Sequence, residues 1–142
     1  MAGVFIISCS SKEEDLNPQN TISVDGVIYE MNYSGYLKHN DGITLYFGDS
    51  EYNDNPENSI EITLNIEKPA DEDFFYGSDN EYLITSATHK TTKNGECIEK
   101  NNITKGDLSL IGFTSAFIVQ YNLVINGCKI MGHHVSSLKL IE

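Results

Sequence analysis

Four groups of side chains have the types and spacing to do chemistry. The first is His133-His134. Imidazole titrates near neutral pH and binds metals, but neighbouring residues on a strand point to opposite faces. The two rings cannot easily share one metal, and the expectation is one packed and one wet histidine, with His134 on the face of Val119 and His133 on the face of Gln120. The second group is the loop Asp49, Glu51, Asn53, Asp54, Asn55 and Glu57. Oxygen ligands at alternate positions suit calcium, yet Asp54 and Ile60 stand where the glycine and the closing glutamate of such a loop belong. A solvated acidic loop explains the run better, so no metal and no cofactor is expected. The third is the abundance of acids, 21 in all. Two carboxylates a few ångströms apart can hydrolyse a glycoside, but acids on the wet faces of strands account for the number. Gly-x-Ser-x-Gly and Gly-rich phosphate loops are absent. No catalytic residue is assigned, and the chain is read as a non-enzyme. The fourth is the tyrosine set Tyr29, Tyr33, Tyr36, Tyr46, Tyr52 and Tyr76. A tyrosine ring offers an apolar face and a polar tip to sugars and apolar ligands. Tyr29 and Tyr33 stand at core spacing, whereas Tyr52 lies in the acidic loop and is the expected ligand contact.

Composition narrows the partners. Nine lysines face the 21 acids, arginine is absent, and the net charge is −12. Such a chain repels nucleic acid and anionic lipid and lacks the guanidinium fork that recognises phosphate. Nucleic acid is therefore excluded as a partner. Tryptophan is absent too, so eight tyrosines and six phenylalanines supply the bulk of the core.

The elements that must position these groups are strands. Ile60, Ile62, Leu64 and Ile66 alternate with Glu61, Thr63, Asn65 and Glu67, which gives a strand with one wet face. Ile43, Leu45 and Phe47 alternate likewise, as do Val27, Tyr29, Met31 and Tyr33. Phe117, Val119, Tyr121, Leu123 and Ile125 form the longest row. Asp25-Gly26, Asp41-Gly42 and Asn126-Gly127 are dipeptides that tolerate the positive φ of tight hairpins. A two-residue turn at Asn126-Gly127 pairs Ile125 with Cys128, Leu123 with Ile130, Tyr121 with Gly132 and Val119 with His134. Gly132 then leaves room for the Tyr121 ring. The Ile103–Ile111 strand should pair with Ala116–Ile125 through the turn at Gly112–Ser115. Residues 49–58, 68–73 and 89–102 read as loops. The pattern predicts an all-β fold of about eight to ten strands: one antiparallel meander over residues 21–142. It closes either as a flattened up-and-down barrel or as a two-layer sandwich.

The N-terminus carries a different signal. Ile6-Ile7-Ser8-Cys9 resembles the lipobox of bacterial lipoproteins, in which the cysteine is lipidated and the preceding peptide removed. Residues 1–8 would then be the remainder of a signal peptide. Eight uncharged residues are shorter than a full signal, so a longer native signal is expected. Residues 9–20 would be the lipidated Cys9 and a polar, acidic tether that cannot bury enough surface to order itself. Ser10-Ser11-Lys12-Glu13-Glu14-Asp15 also looks like the surface-export signal of Bacteroidota lipoproteins. The resemblance implies lipid anchoring in the outer membrane, at the cell surface, with the bilayer as a partner. Outside the cytoplasm the remaining cysteines, Cys97 and Cys128, can form a disulfide; the alternative is two small buried hydrophobes.

Further stretches resemble small Bacteroidota lipoproteins of unassigned function. They are Ile103-Thr104-Lys105-Gly106-Asp107-Leu108-Ser109-Leu110, then Phe117-Ile118-Val119, then Asn126-Gly127-Cys128-Lys129-Ile130-Met131-Gly132, together with the opening Ile22-Ser23-Val24-Asp25-Gly26-Val27-Ile28-Tyr29. His133-His134-Val135-Ser136-Ser137 replaces that family's usual Tyr and second Gly. The resemblance implies a lipocalin-like or calycin-like domain and transfers no catalytic residue. The expected function is a surface-anchored binding module for a glycan, a peptide or a small apolar ligand. The alternative is an accessory subunit of an envelope or surface complex, binding protein through a sheet edge.

Overall fold

The structure, a computed structural model, describes residues 19–142. Among the described residues eleven strands form one sheet: β1 (Thr21–Val24), β2 (Val27–Glu30), β3 (Tyr33–His39), β4 (Gly42–Gly48), β5 (Asn58–Leu64), β6 (Glu72–Tyr76), β7 (Leu83–Lys93), β8 (Glu96–Lys100), β9 (Ile103–Phe113), β10 (Ala116–Ile125) and β11 (Cys128–Ser136). The spatial order is β2-β1-β11-β10-β9-β6-β7-β5-β4-β3, and β8 pairs with β7. The sheet curls strongly into a half-barrel. The fold class read from the sequence stands: an all-β, barrel-like domain.

Alternation decides which side chains meet inside the curl. Ile43, Leu45 and Phe47 of β4, Ile60, Ile62 and Leu64 of β5, and Val119, Tyr121, Leu123 and Ile125 of β10 are all buried. Each set keeps to one parity, so each strand turns one face inward. The inner faces of the two halves then cover each other. The ring of Phe47 on β4 stacks on His134 of β11, centroids 3.9 Å apart, and meets Tyr121 of β10 at 5.8 Å. Such ring pairs add about 0.5–1.5 kcal/mol beyond burial.

The β10–β11 hairpin follows the register expected from Asn126-Gly127: Ile125 faces Cys128, Leu123 faces Ile130, Tyr121 faces Gly132 and Val119 faces His134. Asn126 and Gly127 have φ of 51° and 79°, the mirror-image turn that suits the twist of a hairpin. A methyl group on Gly132 would overlap the Tyr121 ring. The β9–β10 pairing also agrees, closing at Phe113 and Ala116.

Three features depart from the simple meander. First, β6 inserts between β9 and β7, and its two residue pairs with β7 are parallel, Phe75 with Leu83 and Tyr76 with Ile84, so the sheet is mixed. The connection folds back because Tyr82 packs edge-on against buried Phe74 and Leu83 N–H donates to Asn65 Oδ1 at 2.8 Å. Second, residues 89–102 are not a loop. They hold the end of β7, an Asn94-Gly95 turn with φ of 53° and 79°, and β8. Third, the row Val27–Tyr33 breaks. Met31 turns inward and is buried, its N–H donating to Asn20 O at 2.7 Å, so β2 and β3 are separate strands. Tyr29 and Tyr33, expected as packing residues, are partly exposed as a result.

The free edge of β3 is covered by the C-terminal segment. Tyr36 N–H donates to Lys139 O at 3.0 Å, and Ile141 N–H donates to Tyr36 O at 2.8 Å. The hydroxyls of Ser34 and Ser136, 2.6 Å apart, join the same edge to β11. The outermost strand at the other end, β2, pairs among the described residues only with β1.

Candidate functional site

The outward parity of β4, β5, β7 and β8 builds a groove. Tyr46 points outward from β4, yet it is buried, because residues 49–57 fold back over it. Hydrogen bonds hold that loop at both ends. Asp49 carboxylate oxygens accept from the N–H groups of Glu57 at 3.0 Å and Asn58 at 3.1 Å. Thr92 N–H donates to Glu57 O at 2.8 Å. The Tyr46 hydroxyl donates to Ser50 O. The first acid of the supposed calcium run is thus a loop clamp. Among the described residues no group of three or more His, Cys, Asp or Glu side chains is placed to hold a metal.

The loop carries Tyr52 onto Tyr46, edge to face, with centroids 5.3 Å apart. Tyr52 stands between two clefts. One, of about 610 Å³, runs along the outer face toward β8 and includes Tyr46, Asn53, Ser59, Glu61, Lys90 and Glu99. The other, of about 420 Å³, runs toward Tyr33 and the C-terminal segment. Lys90 Nζ lies 3.0 Å from Glu61 Oε2 on the neighbouring strand, and Glu99 lies opposite Lys90 on β8. Burial works against the Lys90 ammonium, but the Glu61 hydrogen bond and charge, with Glu99 beside it, outweigh that and raise its pKa. Burial, reinforced by the negative charge of Asp49 and Glu61, pushes the Tyr46 phenol well above its ordinary range, so it remains a neutral donor. Ser59 is 1 % exposed, and its hydroxyl has no hydrogen-bond partner. The groove therefore offers an aromatic wall, a fixed cation between carboxylates, and a hydroxyl on its floor with unused bonding capacity.

The sequence-predicted residues are distributed unevenly over this site. Tyr52 is in it. Cys97 lies on its rim, exposed, and Cys128 begins β11; both are free thiols, so the possible disulfide is not formed. Opposite faces separate them. Cys97 pairs with outward Thr92, whereas Cys128 pairs with inward Ile125. The Asp25 carboxylate accepts from Lys129 N–H at 2.9 Å, and this bond, followed by the influence of the Cys128 thiol, lowers its pKa. His134 is packed inside, 2.7 Å from the Tyr121 hydroxyl through Nε2. His133 faces the other way, beside Gln120. Cys9 lies outside the described residues.

Sequence reasoning placed Tyr46 in the tyrosine set without singling it out, and missed Ser59, Lys90 and Glu99 as site residues. The signal that could have found the last two was Asn94-Gly95, a hairpin dipeptide like the three that were used. Pairing across it sets Lys90 opposite Glu99. The chain has no match to a protein-family model, to a curated protein or to a solved structure.

Proposed function

We propose that the chain is a lipid-anchored lipoprotein of the outer-membrane surface whose β-domain is a non-catalytic binding module for a glycan. Of the ligand classes expected, a glycan suits the groove best. Away from its open end the interior of the curl is filled by Phe47, Phe74, Tyr121 and His134, so an apolar ligand cannot be enclosed within it. The outer groove combines one aromatic ring with carboxylates, amides, an ammonium and an unpaired hydroxyl, the mixture that sugar hydroxyls and sugar faces require. The observation that carries the proposal is Tyr52 held upright over this polar floor by its contact with Tyr46. A hydrolytic role is less favoured, because Lys90 occupies Glu61 in an ion pair.

The test is a glycan-array screen followed by calorimetry on the best ligand. Tyr52→Ala should weaken binding by about tenfold or more, a loss of about 1.4 kcal/mol, with the melting temperature nearly unchanged. Equal affinity of both proteins would remove the groove from consideration. Anchoring is tested separately. Expressed behind a complete signal peptide, wild type should partition into detergent and Cys9→Ala should not, since each buried acyl CH₂ contributes about 0.8 kcal/mol.

The accessory-subunit reading keeps one observation of its own. Val27, Ile28 and Tyr29 lie exposed on the outermost strand β2, the kind of edge that accepts a further strand.

A further inference from the structure

We propose a second binding site, at the open end of the curled sheet, for a small organic acid: a carboxylate head carried on a short apolar tail. The site is a cleft of about 600 Å³ between the β1–β2 hairpin and the β7–β8 hairpin. It lies on the concave side. His89 pairs with inward-facing Ile60 on β5, and Val24 pairs with inward-facing Ile130 on β11, so both side chains point to the interior from opposite rims. This is the other face of the sheet from the Tyr52 groove, and the two proposals are independent.

Three observations point to the ligand. His89 is 5 % exposed, lines the cleft, and its Nε2 has no hydrogen-bond partner. A buried ring nitrogen left without a partner costs free energy that a bound acceptor would recover. Second, Lys100 lies opposite His89 on β8, and Lys93 lines the same cleft. The Lys100 ammonium is close enough to add to the effect of burial in lowering the His89 pKa. Two lysines in one cleft are a concentration of positive charge in a chain of net charge −12. The acids nearby are Glu57, which lines the cleft, Glu96, which pairs with Lys93 across the β7–β8 hairpin, and Asp25, whose pKa the Lys100 charge lowers. Third, the wall beside these cations is apolar. Val24, Tyr29 and Ile98 line it, the last two substantially exposed. A carboxylate would take the His89 Nε2–H and the Lys100 ammonium as charge-assisted donors, while its tail would cover Tyr29 and Ile98. Volume and mixed lining match those of small-molecule sites.

The probe is octanoate, titrated into the full chain and followed by the His89 ring resonances and by calorimetry. Acetate supplies the charge without the tail, and octanol the tail without the charge. Octanoate should bind saturably at one site with a Kd below about 1 mM, and each control should bind about tenfold more weakly. His89→Phe keeps the ring and removes the nitrogen. Lys100→Met removes the ammonium from an accessible position and guards against misfolding of the first variant. Both should weaken octanoate by about tenfold or more, while Tyr52→Ala leaves it unchanged. Binding that survives Lys100→Met, octanol binding as tight as octanoate, or the absence of saturable octanoate binding each overturns the proposal.

Discussion

His134 shows how a single residue can couple the interior to pH. It is 1 % exposed, stacked on Phe47, and hydrogen-bonded to Tyr121 through Nε2, while Nδ1 has no partner. Burial, with a smaller contribution from His133, lowers its pKa from 6.5 to about 3. The unfolded chain therefore binds a proton between these two values that the folded chain does not. Stability is complete above about pH 6.5 and falls as the pH drops toward 3, with a slope of at most about 1.4 kcal/mol per pH unit from this residue. His89, also lowered by burial, acts in the same direction. Urea unfolding of wild type and His134→Phe at pH 7 and pH 5 isolates the effect: the variant should lose less stability over that interval. The same loss in both proteins would mean that His134 is not held neutral inside. A second measurement probes the pair itself. Tyr121→Phe leaves His134 Nε2 unpaired and should cost about 1–3 kcal/mol. Opposite faces for His133 and His134 were legible from strand geometry. The stacking on Phe47 was not, because β4 and β11 are not neighbours in the sheet.

At the scale of elements, hairpins carry the argument, and two glycines of one hairpin test it by different physics. Gly127 has φ of 79° and open space around any added Cβ. Gly127→Val should cost about 1–2 kcal/mol from backbone strain alone. Gly132 has no positive φ, but a methyl group there meets the Tyr121 ring across the strands. Gly132→Ala should cost about 3 kcal/mol or more, at the upper end for overpacking, and chemical denaturation of the two variants should rank them in that order. The reverse order would place the Tyr121 ring elsewhere. Gly42 repeats the lesson. It was expected to serve a turn, but the turn is Asn40–Asp41, and Gly42 is required because a methyl would overlap Leu64 O.

For the molecule as a whole, the weak point is the edge at β3. The C-terminal segment covers it through the two hydrogen bonds with Tyr36, and Leu138, 4 % exposed, anchors the segment in the core. Deleting residues 138–142 removes that anchor, worth about 1.5–3 kcal/mol of apolar burial, and bares a row of unpaired backbone groups. The melting temperature should fall by roughly 5–10 °C, and the truncated protein should self-associate with rising concentration in gel filtration. A truncated chain that melts like wild type and stays monomeric would show that β3 needs no cover.

Local pattern was enough to read the strands in which it is strong. Period-two alternation fixes which face of β4, β5 and β10 is apolar, and Asn-Gly fixes the register of β10 and β11, because both depend only on residues near in sequence. It also singled out Tyr52, since an aromatic ring in a polar loop has no core to enter. Contacts between remote segments belonged to tertiary structure alone. The insertion of β6 beside β7, the fold-back of residues 49–57 that buries outward Tyr46, and the meeting of the β1–β2 and β7–β8 hairpins around His89 are decided by the curl of the whole sheet. Alternation tells a side chain which face it occupies, and only the curled path of the strands tells it what lies across that face.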